Sequence, residues 1–338
     1  MSLHSDGRNT PAIGRGAPVR PAVALFGEAL IDAFASARVV GGAPFNVACA
    51  LGRFDCAALL ITALGTDPDA ELVKTQLARF GLSSDGVQIS PVLPTGHVTV
   101  EQDGDAHRFT ILPDQAYDAI AFAPALTAVR QTPPQILYFG TLAQRGEISR
   151  QTLRQLLSAT TARRFLDLNL RGDQVDRMTV MDAAAQADVL KINHDELQVL
   201  ADWAFGAGLA PPTDPEQLIG RLIEAFSLSE MIVTNGALGW RHASCDGSVI
   251  YGAATRVTQV VDTVGAGDAF SAIYLVGQLH HWPLALTLQR AGEFAAAVCG
   301  LRGAVASDLR FYADWHAHWF GINPAGIPTL AVSTGATP

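Results

Sequence analysis

The stretch Val260–Gln278, VVDTVGAGDAFSAIYLVGQ, decides how the rest of the chain is read. Its two valines read as the end of an apolar strand that runs through Asp262-Thr263 into the turn Gly265-Ala266-Gly267. Asp268 then opens a run whose apolar spacing predicts a long amphipathic helix. Small residues at 265–267 let the backbone approach a ligand closely and aim successive N–H groups at it. A helix N-terminus adds positive partial charge, so the turn suits a phosphoryl group in transfer. Asp268 has two readings at this point. It is an N-cap or first-turn carboxylate, a common task for Asp, or it is a general base for a hydroxyl attacking the phosphate.

The surroundings prune the alternatives. The chain has 338 residues, 49% hydrophobic and 16% charged, which allows a sizeable core and excludes global disorder. With 32 acidic against 23 basic residues the net charge is -9, the wrong sign for a binder of nucleic acid or anionic membrane. Apolar runs such as Phe270–Leu279 fall short of the roughly 20 residues of a membrane span. Cys49, Cys56, Cys245 and Cys299 form no C-x-x-C pair, so neither a disulfide framework nor a zinc site is indicated, and a cytoplasmic setting fits. Lysine occurs only at Lys74 and Lys191, neither after a glycine, which excludes a P-loop. No G-x-G-x-x-G supports a dinucleotide site.

Residues 1–20 and 321–338 read as loosely held tails around one domain over 21–320. Within it, short β-rich runs alternate with helical stretches. Strands are expected at Val23–Phe26, Ala57–Leu64, Ile136–Phe139, Phe165–Leu168, Val189–Ile192 and Met231–Thr234, with helices over Phe45–Phe54 and Asp69–Phe80. This alternation predicts an α/β fold, a mostly parallel sheet covered on both faces. Residues 94–112 break the rhythm with two alternating strand patterns around Asp103-Gly104, a hairpin. Together with about 32–42 it is expected to form a β lid, and the lid is where a homodimer would meet. An edge hairpin without function is the plainer reading. Arg108, just past the turn, either closes over substrate or is a solvated strand residue.

Four further blocks carry chemistry-bearing residues. Asp32 ends Gly27–Asp32 (GEALID), and Gly41–Asn46 (GGAPFN) leads a glycine pair into a helix. Lys191–Glu196 (KINHDE) sets Asn193 and Glu196 three residues apart at a strand-to-helix junction. Thr234–Gly239 (TNGALG) is a glycine-marked strand end. Arg171 follows Asp167-Leu168-Asn169-Leu170 at another strand end, the usual place for ligand contacts in an open α/β sheet. The histidine pairs His280-His281 and His316/His318 lack the carboxylate or cysteine spacing of a metal site.

In this order and spacing, over roughly residues 22–310, the blocks resemble the PfkB family of carbohydrate kinases, with the ribokinase-like three-layer α/β/α fold. GEALID, the Pro after GGA and DLNLR are most similar to fructokinases, and partly to 2-keto-3-deoxygluconate kinases. The resemblance implies ATP and Mg²⁺ as cofactors and a sugar as substrate. It implies Asp268 as catalytic base, Gly265, Ala266 and Gly267 as anion hole, and Asp32, Gly42 and Asn46 as sugar-binding positions. Asn193 and Glu196 would organise Mg²⁺ and phosphate through water, and Thr234, Gly236 and Gly239 would line the ATP site. A monovalent cation, K⁺, would be held near the anion hole by Asp262 and the Val264 carbonyl, with Gly300, Gly303 and Ser307. Three departures stand out. Only eight residues separate Asp32 from Gly41, Glu293 replaces a usual Asn of the adenine site, and Ile111-Leu-Pro113 lacks the Arg expected in a fructokinase. The expected activity is ATP-dependent phosphorylation of a sugar, fructose to fructose 6-phosphate first. A 2-keto-3-deoxygluconate, other sugar or nucleoside kinase is the alternative, and a silent sugar or nucleotide sensor the alternative of another class.

Overall fold

The alternating apolar runs become thirteen strands in the computed structural model, which describes residues 22–35, 37–103, 106–206, 214–257 and 259–321. In chain order they are β1 (Ala22–Phe26), β2 (Leu30–Ala33), β3 (Arg38–Gly41), β4 (Ala57–Leu64), β5 (Val87–Ile89), β6 (Gly96–Asp103), β7 (Ala106–Ile111), β8 (Ile136–Phe139), β9 (Arg163–Asp167), β10 (Val189–Asn193), β11 (Glu230–Thr234), β12 (Trp240–Ser244) and β13 (Val249–Gly252). Helices are α1 (Ala43–Leu51), α2 (Pro68–Arg79), α3 (Phe122–Gln131), α4 (Glu147–Ala159), α5 (Arg177–Ala185), α6 (His194–Phe205), α7 (Pro215–Phe226), α8 (Ala266–Leu279), α9 (Leu284–Val298) and α10 (Arg310–Phe320). The tails expected at 1–20 and 321–338 lie outside the described residues apart from Gly321, as does Gly104 of the hairpin turn.

Nine strands form the main sheet in the order β13-β12-β11-β10-β9-β8-β1-β4-β5. All pairs are parallel except β11–β12 and β12–β13. Parallel strands buried on both faces explain the near-continuous apolar sequences of β1 and β8. Two hydrophobic clusters follow. One packs α3 to α7 on one face around Phe139 and Leu166, and the other packs α1, α2, α8, α9 and α10 on the opposite face around Phe45 and Ile273. The architecture is the ribokinase-like α/β sandwich.

A second sheet, ordered β3-β2-β6-β7, stands apart from the main one. The alternation at 94–112 is the β6–β7 hairpin, paired from Val98↔Ile111 to Asp103↔Ala106. The short segment between Asp32 and Gly41 still accommodates a β2–β3 hairpin of four residues per strand. Alternation places Asp32, Val98 and Ile111 on one face, and His97, Thr99 and Arg108 on the other.

Two local expectations are corrected. No strand leads into Asp262: Val260 and Val261 are 59% and 52% exposed, and the Val261 N–H donates to the Cys299 carbonyl at 2.8 Å instead of a sheet neighbour. Nor is α8 amphipathic. All its residues after Asp268 except Gln278 are buried, because it runs through the core between α1 and α9. A third difference is smaller. α1 begins at Ala43, since Gly42 has φ 104 and cannot be helical, while Pro44 fits a first turn.

Candidate active site

The carboxyl ends of the main sheet and the small sheet converge on one group of polar side chains. Gly265 (φ 79) ends the approach loop of α8, and a Cβ there would lie 2.3 Å from the Ala304 Cβ. A Cβ on Gly267 would lie 2.9 Å from the Lys191 ammonium. Glycine is required at Gly265 by close approach and by its left-handed backbone, whereas at Gly267 an added Cβ would press only on the end of the Lys191 side chain. The Ala266 N–H donates to the Thr263 carbonyl at 3.3 Å, so the hole expected at 265–267 shifts to the N–H groups of Gly267 and Asp268, which helix geometry leaves without an intrahelical acceptor.

Asp268 sits in the first turn of α8, and no side chain caps this helix. Its Oδ2 instead accepts the Asn46 Nδ2–H of α1 at 2.8 Å, joining the N-terminal turns of two helices. Asp268 is therefore a first-turn carboxylate and not the N-cap, which is Gly265. Asn46 is itself buried, and its Oδ1 is a buried acceptor without a partner. Burial and the neighbouring Asp167 charge push the Asp268 carboxyl above the ordinary range, against the pull of Asn46, Lys191 and Arg171.

Beneath Asp268 lies a buried ion pair. Lys191 Nζ donates to both oxygens of Asp167 at 2.9 and 3.0 Å, and the Ser271 hydroxyl donates to Asp167 Oδ2 at 2.7 Å. A lysine inside the apolar run of β10 must be neutralised in this way to be buried.

Two more carboxylates border the site. Glu28 follows β1 and accepts the Ala43 N–H at 3.2 Å, and burial raises its carboxyl to about 7 although the backbone bonds and Arg171 oppose it. Asp32, on β2, is raised to about 6 by burial, with the Arg171 and His97 charges pulling the other way. The turn between them needs its glycines. A Cβ on Gly41 would meet Asp32 Oδ2 at 2.8 Å, and one on Gly42 the Glu28 carbonyl at 2.6 Å. Arg171 is exposed, yet near enough that its charge lowers Glu28, Asp32 and Asp268 together.

The remaining candidates fall into separate places. Asn193 and Glu196 are brought together as a capping box at the start of α6: Asn193 Oδ1 accepts the Glu196 N–H, and Glu196 Oε2 the Asn193 N–H, both at 2.8 Å. Glu196 Oε1 accepts the Leu170 N–H at 2.7 Å, so this carboxylate also fixes the loop bearing Arg171. Thr234 ends β11 and Gly236 and Gly239 follow it, with Gly239 pressed against β13. Asp262 accepts the Val264 and Gly303 N–H groups, each at 3.0 Å, tying the α8 approach to the loop that contains Gly300 and Ser307. Arg108 is not brought to the group: it is exposed on β7, opposite Glu101 and on the face away from Asp32. Glu293 is bonded to Gln289 on the surface of α9 at 2.9 Å. His280 stacks against Trp282, and His316 pairs with Asp55 at 2.7 Å.

Glu28, Asp167 and Lys191 lie inside the sequence blocks, but no role for them could be read there. A charged residue within or just after an apolar strand is the signal that marks all three.

The sequence pattern of the family described as "pfkB family carbohydrate kinase" matches residues 18–310. A fructokinase of Vibrio alginolyticus is 29% identical over 260 residues, 72% of this chain and 80% of that protein. A fructokinase of Klebsiella pneumoniae is 29% identical over 275 residues, 76% and 84% of the two chains. Among solved structures, Xylella fastidiosa fructokinase with bound ATP superposes with a TM-score of 0.73 at 24% identity, covering 84% of this chain and 93% of that one. Vibrio cholerae O395 fructokinase, with fructose, ADP and calcium bound, gives 0.72 at 22% identity, covering 87% and 99%.

Proposed function

The chain belongs to the pfkB family of carbohydrate kinases and is an ATP-dependent sugar kinase, and from that premise we propose that it phosphorylates fructose at its 6-hydroxyl. The observation that carries the site assignment is the Asn46–Asp268 bond, because it leaves the Asp268 carboxylate uncapped beside the α8 N-terminus.

In this reading Asp268 takes the proton of the attacking hydroxyl, and its raised affinity for protons makes it a better acceptor than an ordinary aspartate. The N–H groups of Gly267 and Asp268 face the equatorial oxygens of the transferring group and stabilise the charge that develops there. Asn46 Oδ1 accepts a sugar hydroxyl, which supplies its missing donor. Asp32 accepts another, and Gly42 lets the sugar approach bare backbone. The small sheet acts as the lid that excludes water from the phosphoryl group. Thr234, Gly236 and Gly239 lie where the nucleotide would run. Hard oxygen donors suit Mg²⁺, and Asn193 and Glu196 would hold it through water; when bound it neutralises phosphate charge. Asp262 and the Val264 carbonyl, with Gly300, Gly303 and Ser307, would hold K⁺. The buried thiol of Cys49, in no disulfide, suits a cytoplasmic protein, and the exposed Val39 on the lid suits a second copy there. No helix among the described residues is long and apolar enough to cross a membrane.

Charge favours fructose over 2-keto-3-deoxygluconate. Glu28, Asp32 and Asp268 gather here, and Arg171 is the cation whose charge reaches all three. A substrate carboxylate would meet more repulsion than pairing. Coupled ADP release across fructose, ribose, 2-keto-3-deoxygluconate and adenosine tests this. Fructose should give the highest kcat/KM; preference for the acid sugar would overturn the substrate assignment, and no turnover on any of them would favour the sensor.

A further inference from the structure

We infer that Arg145 is a positioning residue that couples the root of the lid to Arg171, so that lid position sets where the site's cation stands. Arg145 lies just after β8, in the one-turn helix Leu142–Arg145, and its side chain is only 12% exposed. All three guanidinium nitrogens are used. Nε and Nη2 fork onto Asp118 at 2.8 and 2.9 Å, Nη2 also donates to the Leu112 carbonyl at 2.7 Å and the Tyr117 hydroxyl at 2.9 Å, and Nη1 donates to Gln174 Oε1 at 2.7 Å.

These partners belong to two functional parts. Leu112 is the first residue after β7, the leg by which the lid returns to the body. Tyr117 is packed against Gly96, the first residue of β6, where an added Cβ would lie 2.7 Å from its ring. Gln174 closes the turn begun at Arg171, its N–H donating to the Arg171 carbonyl at 3.1 Å. The loop from Leu168 to Gln174 is otherwise held at Leu168 by the Thr141 hydroxyl (2.8 Å) and the Lys191 carbonyl (3.0 Å), and at Leu170 by Glu196 (2.7 Å). Among the described residues, Arg145 therefore supplies the bond on the Arg171 side of this loop that also reaches the lid. Only a rigid planar fork satisfies acceptors in these directions at once, and a lysine cannot.

This rests on the sugar-kinase reading, with the lid and Arg171 at the sugar. The decisive variants are Arg145→Lys, which keeps the charge, and Gln174→Met, which cuts only the link to the Arg171 turn. Both should raise the sugar KM about tenfold, as loss of a charge-assisted bond implies, with the ATP KM within about twofold and the melting temperature of Gln174→Met unchanged. A sugar KM unchanged in both folded variants would overturn the inference. A lower melting temperature with unchanged KM in Arg145→Lys would also do so, leaving a purely structural clamp. Hydrogen exchange separates this failure from a wrong substrate, because it needs none. In Arg145→Lys of the free protein, exchange should quicken at 112–118 and at 170–174 together; acceleration at 112–118 alone would refute the coupling.

Discussion

The two ends of the parallel strands treat their carboxylates in opposite ways. At the amino-terminal end, Glu230 opens β11 and accepts from Arg163, from His242 Nε2 at 2.9 Å and from the Tyr274 hydroxyl. Burial pushes its carboxyl up, but these bonds outweigh burial and hold it at about 2. At the carboxyl-terminal end, Glu28 is buried and Asp32 and Asp268 are half-buried, yet they share one exposed Arg171, and all three are raised. One end has its charges matched within the protein. The other is left under-matched, with Asn46 Oδ1 unpartnered among them. An end completed internally stabilises the fold, and an end left incomplete has donors and acceptors to offer a substrate.

The sharpest way to break this contrast is Asp268→Asn. A carboxamide keeps the volume and loses the proton acceptor, so kcat should fall on the order of 10²–10⁴-fold with the melting temperature nearly unchanged. Near-normal turnover in the folded variant would remove Asp268 from the chemistry. The matching change at the other end, Glu230→Gln, should do the reverse. It leaves Arg163 facing a neutral group and should cost about 2–3 kcal/mol of stability in denaturant titration, with kcat retained at low temperature.

pH should separate the two ends as well. Glu230, lowered in the folded state, contributes stability that is present above its ordinary value of 4.5 and is lost as pH falls toward about 2. Glu28, raised to about 7, works the other way: the folded state favours its protonated form, so stability falls as pH rises from 4.5 through about 7. Glu28→Gln should therefore stabilise the unliganded protein by on the order of 2 kcal/mol at pH 8 and by almost nothing at pH 4. An equal effect at both pH values would mean that Glu28 is already matched. The smallest expected effect concerns the loop tied by Asp262. Replacing K⁺ by tetramethylammonium should lower kcat a few-fold through the shape of the α8 turn alone; identical rates would leave Asp262 with its two backbone bonds and no cation.

Much of this arrangement was legible along the chain, for reasons local to each segment. Parallel strands buried on both faces are short apolar runs, and β1, β4 and β8 stand within a residue of where those runs lie. The Gly-Ala-Gly turn could be assigned because a left-handed backbone and a close approach both demand glycine there. Val260-Val261 misled because two apolar residues predict a strand only if a sheet edge receives them, and here the neighbour is the Cys299 carbonyl. The form of α8 was equally out of reach, since a helix is amphipathic or wholly buried according to what packs on its far side. Asp268 itself shows the division most clearly. Its place after two glycines determined that it would stand at a helix N-terminus, whereas the choice between cap and base depended on Asn46, 222 positions away, which only the packing of α1 against α8 brings to 2.8 Å. Local backbone chemistry is written in neighbouring residues, but the charge balance around a buried carboxylate is a sum over groups that the chain keeps far apart until it folds.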